Sequence, residues 1–356
     1  MKKKILLGAL ALLLAISLVA IGCPAPTPTP EFEPVTLRWA EQGAPVGVRA
    51  AMIEFMTQEI EKRTDDRIKF ELYWDSVLVK RKEMLRGTMI GVCDMGSINV
   101  AFHPAQLHCW SIFNTFMLGP ADPYLANGVK STCYETIPAF RAELEKWNQK
   151  IFAFWDYLPA ALGSTSPVTS TADLVGKRIR SSSAWQLKML GVLGATPVSL
   201  PWGECYLAME RGTLDVILTS LDSFERYNFD EVVPYFFVSK EFWIPQPFLF
   251  TINLDTWNKL LPQDQQVILE VGEEATKLGL DLNVTYWDEC VASMVDRSGV
   301  TFTEIPYEEL IAWNNLPGVQ ALPDEWVETA AAAGLPAEEI MATVKGLIEE
   351  ALAKEQ

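Results

Sequence analysis

An α/β fold of two lobes, with a ligand cleft between them and a long helix crossing from one to the other, is predicted by three observations. Short apolar strand patterns alternate along the chain with amphipathic stretches of helical period. Past the N-terminal segment, about 320 residues rich in aromatics and of positive mean hydropathy provide more core than one lobe needs. The stretch from Pro262 to about Val295 has no internal proline and is too long for a helix inside one compact domain.

The elements follow in order. Val35 to Gln42 alternates as a strand, Gly43-Ala44-Pro45 breaks it, and Val48 to Lys62 reads as a helix. Arg67 to Trp74 is a second strand, Lys82 to Met89 a short helix and Val92 to Ile98 a buried strand. Pro138 to Lys150 reads as an amphipathic helix, Ile151 to Tyr157 as a strand, and Lys177 to Arg180 as the strand opening a second lobe. Trp185 to Leu193 is a helix, Pro197 to Leu200 a strand, and Glu204 to Arg211 a helix stopped by Gly212. Phe248 to Asn253 and the long helix carry the chain back. Val300 to Glu304 is a last strand and Ala337 to Ala351 a terminal helix. The alternation predicts parallel sheets covered on both faces. Lobe I is expected over 35–157 and 246–285, lobe II over 158–245 and 286–351, with hinges near Leu158 and Pro245-Gln246-Pro247. Open α/β sheets place small ligands in such a cleft, beyond the strand ends.

The N-terminus has the layout of an export signal over 1–22. Lys2-Lys3-Lys4 precede an apolar run from Ile5 to Ile21, slightly short for a membrane span, and Gly22-Cys23 follows. Residues 23–34 hold five prolines among Ala, Thr and Glu, an extended tether. Without the three leader lysines the 29 basic residues fall to 26 against 46 acidic ones, a formal charge of −20. Such a field repels nucleic acid and anionic headgroups, so a bound anion has to be captured locally. Cys93, Cys109, Cys133, Cys205 and Cys290 show no C-x-x-C spacing; buried free thiols are expected, with Cys109 and Cys133 the one pairing to check.

Several chemistries are excluded. His103 and His108 are the only histidines and share one loop, so no histidine triad spans the fold. With Cys109 they match no standard zinc spacing, and no metal is expected. No phosphate cradle or dinucleotide fingerprint occurs, and no cofactor is expected. A hydrolase acting through carboxylates alone would need Asp156 and Asp222 to face each other.

Arg180 is the candidate anchor: its guanidinium is a rigid fork that matches a carboxylate two bonds at a time. Around it stand Asp173-Leu174-Val175-Gly176, then Gly194-Ala195-Thr196-Pro197-Val198, then the run from Glu204 through Tyr206, Ala208-Met209-Glu210 and Gly212 to Asp215. Elsewhere are Ser76-Val77-Leu78, Glu83-Met84-Leu85, the Gly87 to Asp94 element, and Leu261-Pro262-Gln263-Asp264-Gln265 opening the long helix. From Leu37 to about Ala351 this order resembles the solute-binding subunit of tripartite ATP-independent periplasmic (TRAP) transporters, the DctP-like family, and Gly22-Cys23 resembles the acylation site of its lipoprotein form.

The resemblance implies a periplasmic-binding-protein-like fold and no catalysis. It implies a small organic acid as ligand, delivered outside the cytoplasm to a sodium-driven TRAP permease by a monomer held at the membrane through a lipid on Cys23. Arg180 matches the family's carboxylate clamp. Gln42 and Asn99 match positions facing the cleft, with capping of backbone groups the competing role. Trp202 replaces an aromatic that packs on the ligand, and Thr219 stands where Asn is common. Ala160 replaces a second basic residue, which implies a ligand with one carboxylate and an apolar body, lined by Trp155, Trp185 and Trp202. A binding protein serving a sensor kinase or an ABC importer would show the same residues.

Overall fold

In the computed structural model, residues 34–243 and 247–355 are described. The expected signal segment, Cys23 and the expected tether as far as Glu33 lie outside the described residues, as do Pro245 and Gln246 of the expected hinge.

Eleven strands are described: β1 (Val35–Ala40), β2 (Ile68–Tyr73), β3 (Met95–Asn99), β4 (Gln149–Asp156), β5 (Ala160–Ser164), β6 (Arg178–Arg180), β7 (Thr196–Val198), β8 (Val216–Ser220), β9 (Tyr235–Val238), β10 (Pro247–Asn253) and β11 (Thr301–Glu304). They form a five-stranded sheet, β2-β1-β3-β10-β4, and a six-stranded sheet, β11-β9-β5-β8-β6-β7. The helices that matter to the site are α1 (Gly47–Arg63), α2 (Pro123–Thr136), α3 (Trp202–Glu210), α4 (Leu221–Arg226) and α5 (Pro262–Ser298).

The sheets are mixed, which corrects the expectation of parallel ones. β1 runs parallel to β3, and β6 parallel to both β7 and β8. β10 is antiparallel to β3 and β4, and β5 antiparallel to β8 and β9. The reason is topological: β5 follows β4 after only Tyr157, Leu158 and Pro159, so it starts at the junction, with Ala160 opposite Ser220 at the end of β8, and runs the other way. β5 also opens the second sheet ahead of Lys177, where the sequence pattern had placed its start. Pro247, the first residue of β10, pairs opposite Asp156, the last of β4.

Several diagnostic residues turn out to hold this frame. Asp94 accepts hydrogen bonds from the Arg38 backbone N–H at 3.0 Å and from Arg38 Nε at 3.1 Å, tying β1 to β3. Asp215 does the same for β6 and β8, accepting from the Arg178 N–H at 2.8 Å and from Arg178 Nε at 2.9 Å. Asp264 pairs with Arg67 at 2.7 Å, docking the first turn of α5 beside β2. Gly194 ends the helix Ala184–Leu193 at φ 94°, a left-handed conformation that a side chain would strain.

Each sheet carries its own apolar layers. Trp39, fully buried on β1, packs edge-on against Phe152 and Phe250 and donates Nε1–H to Ser97 Oγ at 3.0 Å. Behind the second sheet, Phe224 packs edge-on against Phe229 and Phe236. α5 runs past both sheets. At Gly272 a Cβ would stand 2.0 Å from the Phe152 carbonyl oxygen, and at Gly279 it would stand 2.4 Å from Met52 Sδ, so both glycines let the helix lie directly on β4 and α1. The described cysteines are free and buried, Cys109 and Cys133 included.

One buried carboxyl makes stability depend on pH. Glu143, in the helix Pro138–Glu145, is 5% exposed, and its oxygens accept from the Cys109 N–H at 3.1 Å. Burial pushes its carboxyl from 4.5 up to about 7, against the opposing pull of the backbone N–H groups. Between those values the folded chain holds a proton that the unfolded chain has released, so stability falls as pH rises from 4.5 to 7, by on the order of 3 kcal/mol. Glu143→Gln is expected to flatten that slope in urea titrations at pH 5, 6 and 7.5; an unchanged slope assigns the dependence elsewhere.

Candidate functional site

Five of the seven expected ligand residues meet at one cavity of about 40 Å³: Gln42, Asn99, Arg180, Trp202 and Thr219. Backbone geometry gathers them. Asn99 and Arg180 are the last residues of β3 and β6, Gln42 lies two residues past β1, Trp202 opens α3, and Thr219 is on β8. These are strand ends of both sheets meeting across the junction between them.

Arg180 is 3% exposed. Its Nε–H donates to the Leu200 carbonyl at 3.1 Å, and its guanidinium carbon stands 5.3 Å from the Trp202 ring centroid. No carboxylate among the described residues pairs with it. Burial, and secondarily Arg81 nearby, shifts its pKa below the usual arginine value, while the Cys205 thiol pulls the other way. A desolvated cation without a counter-ion is costly, and an anion arriving at the free face of the fork removes that cost.

Three further arginines face the same cavity: Arg49, Arg81 and Arg226. Arg49 on α1 is 1% exposed, with Nε 3.0 Å from Glu41 Oε1 and its guanidinium carbon 5.3 Å from the Trp155 ring. Glu41 Oε1 also accepts from the Gly43 N–H at 2.8 Å. A Cβ on Gly43 would come within 1.9 Å of Arg49 Nη2, so glycine here makes room for the guanidinium. Arg226 pairs with Asp222 at 2.8 Å, both side chains buried, and lies 5.9 Å from the Tyr157 and Trp155 rings. Burial is the strongest single influence and works against its charge, but Asp222 together with Tyr157, Tyr227 and Tyr286 outweighs it and holds its pKa above the usual value. Arg81, half-buried in the 3-10 turn Arg81–Glu83, pairs with no carboxylate among the described residues. Two of the four guanidiniums are therefore neutralised by Glu41 and Asp222, and two, Arg81 and Arg180, are left for a ligand.

The remaining expected residues fall differently. Asn99 Oδ1 accepts from the Ala101 N–H at 2.9 Å, the capping role. Gln42 is 4% exposed, and its Oε1 has no donor. Trp155 stands behind the cavity rather than in its wall, carrying the Arg49 and Arg226 guanidiniums on its ring. Trp185 lies outside the wall of this cavity. It packs half-buried against the core, with Lys188 Nζ 4.7 Å from its ring, because the helix Ala184–Leu193 turns that face inward.

Arg49 was legible and missed, since it shares the buried stripe of Met52, Ile53, Met56 and Ile60 on α1, a face where a solvated arginine is not expected. Arg226, four residues after Asp222, reads in sequence as an ordinary surface pair and gives no such signal. Asp156 and Asp222, the carboxylates a hydrolase would use, are each tied to a buried cation, Lys130 at 2.7 Å and Arg226 at 2.8 Å. Among the described residues no cluster of three His, Cys, Asp or Glu side chains could hold a metal.

Residues 42–320 match the family described as bacterial extracellular solute-binding protein, family 7 (DctP). The chain is 26% identical over 321 residues to the C4-dicarboxylate-binding periplasmic protein DctP of Rhodobacter capsulatus, covering 87% of this chain and 90% of that protein. It is 27% identical over 225 residues to the 2,3-diketo-L-gulonate-binding periplasmic protein YiaO of Escherichia coli, covering 61% and 65%. The periplasmic ectoine-binding protein of the TeaABC TRAP transporter of Halomonas elongata superposes with a TM-score of 0.79 at 18% identity, over 89% of this chain and 100% of that one. The shared fold is two-lobed α/β.

Proposed function

Given that the chain belongs to family 7 of the bacterial extracellular solute-binding proteins, whose members bind solutes and are not enzymes, we propose that it takes up a small organic acid between its lobes and delivers it to a TRAP membrane permease. The observation that carries this reading is Arg180, buried against Trp202 with no carboxylate of the described chain beside it. The two relatives named above are described as binding a C4-dicarboxylate and 2,3-diketo-L-gulonate, both organic acids.

The second unpaired guanidinium revises the ligand. Ala160, whose small side chain pointed to one carboxylate and an apolar body, lies in the wall of the neighbouring cavity and not in that of Arg180. Arg81 supplies a second positive group from the other side. Once the lobes part to widen a space of about 40 Å³, an acid with two oxygen-bearing groups, as a dicarboxylate or a keto or hydroxy acid has, places one on each free fork. Gln42 and Thr219 add hydrogen bonds, and Trp202 covers the Arg180 end.

Closure of the lobes about the crossing at Tyr157, Leu158 and Pro159, with the lobe boundaries expected from the sequence, belongs to the same proposal. So do the monomeric state, which the family resemblance implies, and the lipid on Cys23, which rests on the order of charge, apolar run, cysteine and prolines in the sequence. A thermal-shift panel of mono- and dicarboxylic, keto and hydroxy acids tests the reading. A ligand at one hundred times its Kd adds about 2.7 kcal/mol to the folded state. At least one acid with two oxygen-bearing groups is expected to raise Tm; a panel in which only uncharged solutes do so ends the organic-acid reading.

A further inference from the structure

Beside the arginine cavity, and sharing Tyr157 and Thr219 with it as walls, lies a larger cavity of about 220 Å³. Its walls come from the crossing between β4 and β5, from β8, from α2 and from the middle of α5. Leu158, Ala160, Leu218, Trp243 and Trp287 make it largely apolar. Six buried polar side chains interrupt that surface: Gln186, Thr219 and Ser220, and on other chain segments Lys130, Asp156 and Asn283, exposed 2%, 8% and 7%.

The bonding of the last three is incomplete. Lys130 Nζ sits 2.7 Å from Asp156 Oδ2, so the pair is neutral. Asn283 Nδ2 donates to the Asp156 backbone carbonyl at 2.9 Å, which leaves Asn283 Oδ1 without a donor, and Asp156 Oδ1 also has none. Buried polar atoms in native proteins are nearly always hydrogen-bonded, and a buried ion pair needs further bonds to its spare lone pairs to be tolerated. Lys130 Nζ likewise makes no hydrogen bond beyond that ion pair, so a group that both donates and accepts, as a hydroxyl does, answers the deficit on both sides. Charge decides the rest: an added cation would meet Lys130, and an added anion would meet Asp156.

We propose that this cavity is a second binding site, for a small uncharged molecule with an apolar ring or short chain and one hydroxyl or N–H donor directed at Asp156 and Asn283. Its volume sets the size. A cavity of about 150 Å³ accepts benzene, so this one admits a phenol or an indole. Neither carries a carboxylate, and the site makes no use of Arg180, so the proposal stands apart from the organic-acid reading.

The probes are 4-fluorophenol and 4-fluorotoluene, followed by fluorine NMR on the wild-type chain and on Arg180→Ala, Ala160→Leu and Val284→Phe. Val284, 52% exposed on α5 at the cavity wall, is a site where a larger side chain narrows the cavity without entering the core. Wild type and Arg180→Ala are expected to bind the phenol equally. Ala160→Leu and Val284→Phe should weaken it by at least about tenfold, and fluorotoluene, lacking the donor, should bind at least about fivefold more weakly than the phenol. A phenol that does not bind, that binds both cavity variants as it binds wild type, or that is matched by fluorotoluene overturns the assignment. An acid panel that fails leaves all these readouts intact.

Discussion

Arg180→Ala is expected to lose its response to every acid that stabilises the wild type, with affinity falling by about 2–5 kcal/mol, the range for truncating one partner of a buried, hydrogen-bonded charge pair. The stability of the ligand-free chain should move little, staying within about 1 kcal/mol, because removing a desolvated cation relieves a cost that offsets the lost bond to Leu200 O and the contact with Trp202. That combination separates a ligand residue from a structural one. Isothermal titration and urea unfolding of the same preparation measure both halves. Arg180→Lys should recover only part of the affinity, since an ammonium offers a point charge where the guanidinium offers a planar fork. A variant that binds as wild type, or that loses binding only because it unfolds, removes Arg180 from the site.

Asp222→Ala should show the opposite pattern. Asp222 and Arg226 are 1% and 4% exposed at their side chains, and removing the carboxylate strands a guanidinium among the Trp155, Tyr157 and Tyr227 rings. Breaking a buried pair from one side costs about 3–5 kcal/mol. Urea unfolding should register that loss with no acid present. Replacing both partners, Asp222→Leu with Arg226→Met, should recover most of it, because no unpaired charge remains. If the single variant is as stable as wild type, the pair is solvated and the charge balance of the arginine cavity has to be redrawn.

How much of this was visible beforehand depends on what each residue reports. Alternation and helical period placed β1, α1, β10 and the long α5 within a few residues, because each has a continuous apolar face. β5, Ala160-Ala161-Leu162-Gly163-Ser164, escaped notice: it is short, small-residued and buried at every position, so no alternation marks it. The missed strand accounts for the expectation of a parallel sheet in the second sheet only; in the first, β10 was placed but its antiparallel direction leaves no mark in the apolar pattern. The motif residues divide into two kinds. Asp94, Asp215 and Asp264 recur in the family pattern yet spend their carboxylates on Arg38, Arg178 and Arg67, building the frame. Among the described residues Arg180 is the buried arginine of that block with no carboxylate partner, and only coordinates show which arginine is spare. Arg81 illustrates the limit: in sequence it is one of four neighbouring charges, Lys80, Arg81, Lys82 and Glu83, and nothing local says that it faces a cavity.

The glycine contacts of α5 fix more than its distance from β4 and α1. Gly272 and Gly279 set the rotational phase of its first half, while further along Ser293 Oγ donates to Glu225 at 3.3 Å and Arg297 Nε to Asp230 at 2.8 Å, setting the phase of the second. Each residue inserted or deleted between Gly279 and Ser293 would turn one half against the other by about 100°. Variation in length should therefore be confined to loops, with this helix conserving its residue count even where its exposed side chains drift freely.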